Sequence, residues 1–415
     1  MAFHLQFFRP TSAHVNLENL AHNVRVLRQA IGEGVFFCPM VKANAYGHGD
    51  VEVALRLQRE GVKTMGVGLI EEGLLLRQMG VTVELLVFGI FDLQGAAEIV
   101  RQKMTPVIST WKQLEFLERV FISEKDQLGI HIKFDTGMHR LGFDWLEARK
   151  LFQYLQTKKN IFKVKGILTH LHSGEDAAKP EGKSHEQLRR FLEVENVFAP
   201  MKPISHTLNS SGLLNFISMR KSGVGGLPGI SLNQGTRPGL SIYGYSPLGQ
   251  AVNGIDLKPV MSLRSRIARY QELTIGESVS YGHTWKALKN SVVGVVPIGY
   301  ADGFHRILSN NAVVLFGGQR VPVIGTICMD YLIIDVTDVF SSQNQNFQSW
   351  SEKTDAEVTL FGYDRLGNLL PASEVAQKTQ SITWEILTSV GERVPRVFLD
   401  DRARDTVKVQ KEVRK

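Results

Sequence analysis

Eight short apolar runs, most of them followed by an amphipathic stretch of helical period, fill the first 250 residues. This alternation narrows the folds open to the chain more than any other feature. The runs fall at 36–41, 64–69, 85–89, 106–109, 130–134, 164–168, 204–208 and 240–243. Between them lie 51–60, 71–79, 93–104, 111–122, 145–158 and 184–198, whose apolar residues recur every three or four positions. Strands separated by helices are joined right-handedly and pair in parallel. Eight in succession predict a closed (β/α)8 barrel. An open doubly wound sheet is the competing arrangement, but no Gly-x-Gly-x-x-Gly turn follows the first run, so a dinucleotide site has little support. A helix ahead of the first run begins near Asn16, a good N-cap, and sets Leu17, Leu20, Ala21, Val24, Leu27 and Ile31 on one stripe.

From about Asp256 the pattern changes to runs joined by turns, at 260–270, 277–281, 292–298, 312–315, 321–324, 332–336 and 357–361. Few helical stretches interrupt them, which predicts a separate, mostly antiparallel β domain. The expected layout is a barrel over 12–255, a β domain over 256–402 and a basic tail over 403–415, with 341–348 as a polar loop. A length of 415 residues accommodates this, since a barrel takes ~250. At 43% hydrophobic and 21% charged residues the composition is that of a globular chain and excludes a disordered or fibrous one. The net charge of +7 is scattered, without zinc-finger spacing or an aromatic RNA-binding signature, so no nucleic-acid partner is expected. Two cysteines, Cys38 and Cys328, build neither a disulfide framework nor a thiolate metal site, and no metal is expected. No stretch of ~18 apolar residues and no cleavable leader is present, which points to a cytoplasmic protein without a membrane partner.

Barrel enzymes carry their reactive groups on the loops after the strands. After the first run stands Val41-Lys42-Ala43-Asn44-Ala45-Tyr46-Gly47-His48-Gly49. A lysine at the end of a buried strand is costly as an ammonium unless it is paired or its charge is chemically changed, and a Schiff base with an aldehyde changes it. On an arbitrary strand end it would more often turn outward to solvent. Here the nine-residue string resembles the pyridoxal-phosphate lysine motif of the alanine racemases, enzymes of fold type III. The resemblance continues in order through Arg9-Pro10-Thr11, Lys133-Phe134-Asp135-Thr136-Gly137-Met138-His139-Arg140-Leu141-Gly142, Gly166-Ile167-Leu168-Thr169-His170, Asn209-Ser210 and Arg237-Pro238-Gly239-Leu240-Ser241-Ile242-Tyr243-Gly244. It extends through the β domain with Val279-Ser280-Tyr281-Gly282, Pro297-Ile298-Gly299-Tyr300-Ala301-Asp302-Gly303, Ile327-Cys328-Met329-Asp330 and Arg393-Val394-Pro395-Arg396.

The resemblance implies a pyridoxal 5'-phosphate racemase that interconverts L- and D-alanine and supplies D-alanine for peptidoglycan. It implies catalytic roles for Lys42, which holds the cofactor and acts as one base, and for Tyr281, the base on the opposite face. Arg237 would face the pyridine nitrogen, with His170 holding it in place. Tyr46, Asn209, Ser210 and the amides of Gly239 and Leu240 would bind the cofactor and its phosphate. Arg140 would contact both the cofactor and the substrate carboxylate, Lys133 is the lysine often carbamylated in the family, and Met329 and Tyr300 would meet the substrate. It also implies a homodimer with shared active sites.

Three positions depart from the family pattern. His139 stands at a usual glycine, Trp384 at a tyrosine whose hydroxyl binds the phosphate, and 221–232 reads as an extra glycine-rich loop. The rival readings are a serine or broad-specificity racemase, a decarboxylase sharing the barrel, and a non-catalytic cofactor-binding protein. Tyr281 and the β domain weigh against the last two.

Overall fold

The computed structural model describes residues 8–400 apart from 124, 177–181, 222–234, 250, 251, 253, 343–345 and 354–356. The expected glycine-rich loop from 222 onward and the tail at 403–415 lie outside these residues. The chain divides into two compact units. One comprises Leu20–Tyr46 and Asp50–Lys258; the other comprises the described residues up to Asn19, Gly47–Gly49 and those from Pro259 onward.

The first unit is a parallel barrel. Seven strands pair in sequence order: Thr64–Val67, Glu84–Val87, Thr105–Ile108, Leu128–Asp135, Phe162–Leu168, Ile204–Leu208 and Gly235–Thr236. The eighth stave is the 37–40 stretch, which bridges both free edges through Phe37 to Thr236 and Met40 to Gly66. Backbone bonds from Cys38 N to Thr236 O at 2.9 Å and from Gly66 N to Pro39 O at 2.9 Å close the ring. Among the described residues the barrel sheet thus closes on itself.

Seven of the eight expected runs are staves, and the run at 240–243 is not. Leu240–Tyr243 is a single 3-10 turn, and the true last stave is Gly235–Thr236. The two residues of that stave carry no apolar pattern, whereas Leu-Ser-Ile-Tyr is fully buried, with Tyr243 donating to Met40 O at 2.9 Å. Side-chain caps fix where the helices begin. Asn16 accepts from Asn19 N at 2.9 Å, Asp92 from Gly95 N at 2.8 Å and Thr110 from Gln113 N at 3.3 Å. The interior holds Cys38, Leu86, Val107 and Leu168, packed against Phe36 and Phe88.

The second unit is built on one sheet, antiparallel but for a single pair. Its order is Arg269–Leu273, Ser291–Val296, Leu332–Asp335, Gln319–Ile324, Val313–Phe316, Glu357–Tyr363, Met261–Arg266, Ser12–Asn16 and Arg396–Leu399. Only the last two strands run parallel, with Val15 opposite Phe398. Ser12–Asn16 also pairs antiparallel with Met261–Arg266, so this strand lies in the sheet and not in the barrel to which a boundary at residue 12 assigns it. The expected strand at 260–270 is two strands, broken at Ile267-Ala268. Trp350 is fully buried and stacks edge-on against Tyr270, Phe316 and Phe340 at 4.9–6.3 Å, anchoring the helix Phe347–Lys353.

Candidate active site

Lys42 leaves the barrel at the C-terminal end of the first stave, just after Val41 N donates to Gly66 O at 2.8 Å. The following turn, Lys42–Tyr46, is left-handed: φ is 52° at Ala43, 52° at Asn44, 50° at Ala45 and 55° at Tyr46. Each such residue other than Asn costs roughly 1–2 kcal/mol, so the turn stores several kcal/mol. Local bonds offset this cost. Ala45 N donates to Val41 O at 2.9 Å, Asp50 N to Asn44 Oδ1 at 2.9 Å and Ala43 N to Glu72 Oε1 at 2.6 Å. Desolvation at the barrel end, and next the Arg140 guanidinium, lower the Lys42 amine below the usual lysine value although the residue is partly open to solvent, while Glu72 opposes them. Lys133 is buried on the strand Leu128–Asp135 and is pushed down to about 8 by burial first, then by Arg140 and Arg237. His170, pushed down to about 3 chiefly by burial, feels the same four cations, Arg237, Arg140, Lys133 and Lys42. The structure thus brings these five residues into one electrostatic cluster.

Arg140 follows a turn gathered by Asp135, whose Oδ1 accepts from Gly137 N at 2.9 Å and His139 N at 3.0 Å. His139 has φ 53°, the left-handed conformation that explains why glycine suits this position and that His139 adopts under strain.

Arg237 is fully buried without a carboxylate against it. Its guanidinium donates to the carbonyls of His206 and Thr169, the latter at 2.6 Å, and to His206 Nδ1 at 2.9 Å. The histidine bonded to Arg237 is His206, which lies on the stave next to it, while His170 feels Arg237 as the foremost of its neighbouring charges. An arginine only donates, so His206 Nδ1 accepts and Nε2 carries the proton. That proton is directed at His131 Nδ1, 2.8 Å away. His131 is held near 4, mainly by burial. Motif matching missed both histidines. The alternation of the strand would have found His131, which shares a face with Lys133 two residues on.

Neutral buried histidines make a pH prediction. An unfolded chain titrates His131 near 6.5 and the folded chain only near 4, so the unfolded state binds more protons within that window and stability falls as the pH drops through it. Melting curves between pH 7 and pH 4 should show this fall, and His131→Gln should flatten it. An unchanged slope in the variant would rule out His131 as a contributor. Glu84, Lys165 and Arg237 also act on His131 and stay in place in the variant.

Ser210 and the turn at Gly239 form a polar cradle. Ser210 Oγ accepts from Gly239 N at 2.9 Å and Ser241 N at 3.3 Å and lies 3.1 Å from Ser241 Oγ. A Cβ on Gly239 would sit 2.2 Å from Tyr46 Oη, so only glycine lets this backbone approach the phenol. Tyr46 stacks on Tyr243 with ring centroids 4.9 Å apart. Leu240 is buried and opens the 3-10 turn. Asn209 turns its side chain to the backbone, accepting from Gly212 N at 3.0 Å and donating to Leu171 O at 3.2 Å, which fixes the start of the helix that carries Ser210.

Tyr281, Tyr300 and Met329 lie in the second unit on adjoining turns. Ser280, with φ 59°, presents Tyr281 outward, and Thr326 Oγ1 donates to Tyr281 O at 2.9 Å. Tyr300 N and Ala301 N donate to the carbonyls of Cys328 and Met329, both at 3.1 Å. Gly299 permits this, since a Cβ there would lie 2.3 Å from both carbonyl oxygens. Arg9 clasps buried Asp302 through both carboxylate oxygens at 2.7 and 2.8 Å, and Asp302 Oδ2 accepts from Gly299 N at 3.0 Å. The side chains remain open: Tyr281 is 72% exposed, Met329 52% and Tyr300 41%. Trp384 is half-buried on the short helix Thr383–Thr388. No helix among the described residues is long and apolar enough to cross a membrane.

Comparison with known proteins agrees with this geometry. Residues 15–247 match the model of the alanine racemase N-terminal domain and residues 260–398 that of the alanine racemase C-terminal domain. An alanine racemase of Sorangium cellulosum is 36% identical over 402 residues, covering 94% of this chain and 99% of its own. The structure of an alanine racemase from Clostridium difficile superposes with a TM-score of 0.83 at 27% identity, covering 98% of this chain and 99% of that one. One from Bartonella henselae, solved with covalently bound pyridoxal phosphate, gives 0.77 at 28% identity over 94% and 99%.

Proposed function

The chain belongs to the alanine racemase family, an isomerase family whose members use pyridoxal phosphate, and from this premise we propose that Lys42 and Tyr281 are its two opposed proton carriers. The observation that carries the reading is the Lys42 amine, lowered and held at the head of a left-handed turn among Arg140, Lys133 and Arg237.

The donor set of the barrel fits pyridoxal phosphate. Four cations face few acids, which suits a group with a phosphate and a phenolic oxygen, and the hydroxyls of Tyr46, Ser210 and Ser241 gather around Gly239. Lys42, Tyr46, Ser210, Arg237 and the amides of Gly239 and Leu240 would hold the cofactor, with Asn209 placing Ser210 and His170 beside Arg237. When bound, the cofactor acidifies the substrate's α-carbon.

The side chains then divide the work. Lys42 takes or returns the α-proton on one face and Tyr281 on the other. Arg140 receives the substrate carboxylate, Met329 offers its backbone and Tyr300 narrows the entrance. Arg237 is pushed down only to about 10 by burial, so it stays charged at neutral pH and would donate to the cofactor's ring nitrogen without surrendering its proton. Lys133, lowered to about 8, keeps a neutral fraction able to add to carbon dioxide, and the carbamate formed with loss of a proton would give Arg140 an anionic partner.

Borohydride treatment of the purified protein should abolish its visible absorbance and place the mass of reduced pyridoxal phosphate on the peptide containing Lys42. The same protein should racemise alanine faster than serine. Label on another lysine would reject the assignment, and equal turnover of serine would favour the broader-specificity racemase.

A further inference from the structure

We propose that Glu72 is the positioning residue that holds Lys42 in its working geometry, by clamping the strained turn behind it through the backbone. The inference rests on the reading that Lys42 carries the cofactor. Sequence motifs gave no hint of it, because Glu72 lies 29 residues beyond the amide it holds.

Glu72 is the third residue of the helix Ile70–Gln78, and its carboxylate turns back over the start of that helix. Oε2 accepts from Leu69 N at 3.0 Å, the helix's own cap, and from Gly68 N at 2.7 Å. Oε1 accepts from Ala43 N at 2.6 Å. One carboxylate therefore ties the loop after the strand Thr64–Val67 to the peptide immediately following Lys42. Both oxygens are engaged by N–H groups, so only a group that accepts at both ends can make all three bonds.

What Glu72 holds is a conformation that alanine disfavours. Ala43, Asn44 and Ala45 stand at φ 50–52°, and Ala43 is the first residue to turn left-handed after the lysine. If the Ala43 peptide relaxed toward an ordinary conformation, the Cα of Lys42 would rotate and its amine would leave the cluster. The carboxylate also opposes the lowering of the Lys42 amine. Clamp and counter-charge are separable. A clamp becomes less necessary when the turn no longer resists its own backbone, whereas a counter-charge does not.

The experiment compares Glu72→Ala, Glu72→Gln and Glu72→Ala/Ala43→Gly with the wild type. It measures the dissociation constant for pyridoxal phosphate by visible titration of the stripped protein, and the melting temperature before titration. Glu72→Ala should weaken cofactor binding roughly tenfold to a hundredfold, the range for losing hydrogen bonds to a charged group. Ala43→Gly should recover much of that loss, because glycine takes up a positive φ without steric cost. Glu72→Gln, of the same shape but with a single accepting oxygen, should fall between, and it keeps the test open if Glu72→Ala melts too low to titrate. Wild-type affinity in both single variants would overturn the proposal, as would a loss that is equal in Gln and Ala and untouched by Ala43→Gly. Borohydride labelling of the wild type separates the two readings. Label on Lys42 with unaffected Glu72 variants refutes Glu72 alone, whereas label elsewhere refutes the Lys42 reading itself.

Discussion

Tyr281→Phe should keep its cofactor and its fold and lose turnover of both L- and D-alanine by ~10²–10⁴, the range contributed by a positioned general acid or base. The expectation follows from the geometry of proton exchange at a planar carbon: one lysine cannot serve both faces, so removal of the second base blocks both directions. The turn that carries Tyr281 is held by bonds independent of the phenol oxygen. Thr326 Oγ1 binds the Tyr281 carbonyl, Ser280 Oγ donates to Thr326 O, and Asn310 Nδ2 donates to Thr284 Oγ1 at 3.0 Å. Phenylalanine therefore keeps the scaffold and removes the one ionisable atom. A phenol titrates near ~10 in water, so the reaction needs surroundings that favour the phenolate, and the loss of rate should persist at alkaline pH where the wild type gains. Deuterium exchange at the α-carbon should continue in the variant from the face that Lys42 serves, since Lys42 is untouched. Racemisation within a factor of a few of the wild type would reject the two-base assignment.

The barrel was legible in the sequence because most of its staves are short, largely buried apolar segments that alternate with amphipathic helices, even where polar residues such as His131, Lys133 and Lys165 interrupt the longer ones. The misreading at 240–243 has the same origin: burial alone does not distinguish a strand from a packed 3-10 turn. Gly235–Thr236 is too short to show any period, and it qualifies as a stave only because Phe36 and His206 lie on either side of it. The strands Ser12–Asn16 and Arg396–Leu399 escaped notice because nearly the whole chain separates them, and their pairing is a tertiary fact.

The site divides along the same line. Lys42, Lys133, Arg140, Arg237 and Tyr281 stand in contiguous strings, where resemblance can act. Glu72 and His206 act on those residues from other elements, and their partners are set by the closure of the barrel. His206 could not be named in the same way, because a motif names neighbours in sequence, whereas its hydrogen bond to Arg237 is set by the adjacent stave.

A Lys42→Ala chain and a Tyr281→Phe chain, each nearly inactive alone, should regain activity when they are dissociated, mixed and reassembled. The reasoning starts from exposure. Tyr281, Tyr300, Met329 and Tyr331 are 72%, 41%, 52% and 50% exposed on turns that hydrogen-bond to one another, and an open cluster of large apolar side chains marks a surface that a partner covers. We propose that a second copy of the chain covers this cluster and completes its surroundings in a head-to-tail homodimer. In a hybrid dimer one site combines Lys42 from the Tyr281→Phe chain with Tyr281 from the Lys42→Ala chain, and the other site has neither base. Equal mixing makes half the dimers hybrid, so the ceiling is about a quarter of the wild-type activity. Sites built within single chains predict no recovery, because each chain then lacks one of its two bases. Differently tagged chains co-purifying after reassembly establish that exchange has occurred, and silence in that sample would mean that each chain keeps its own site.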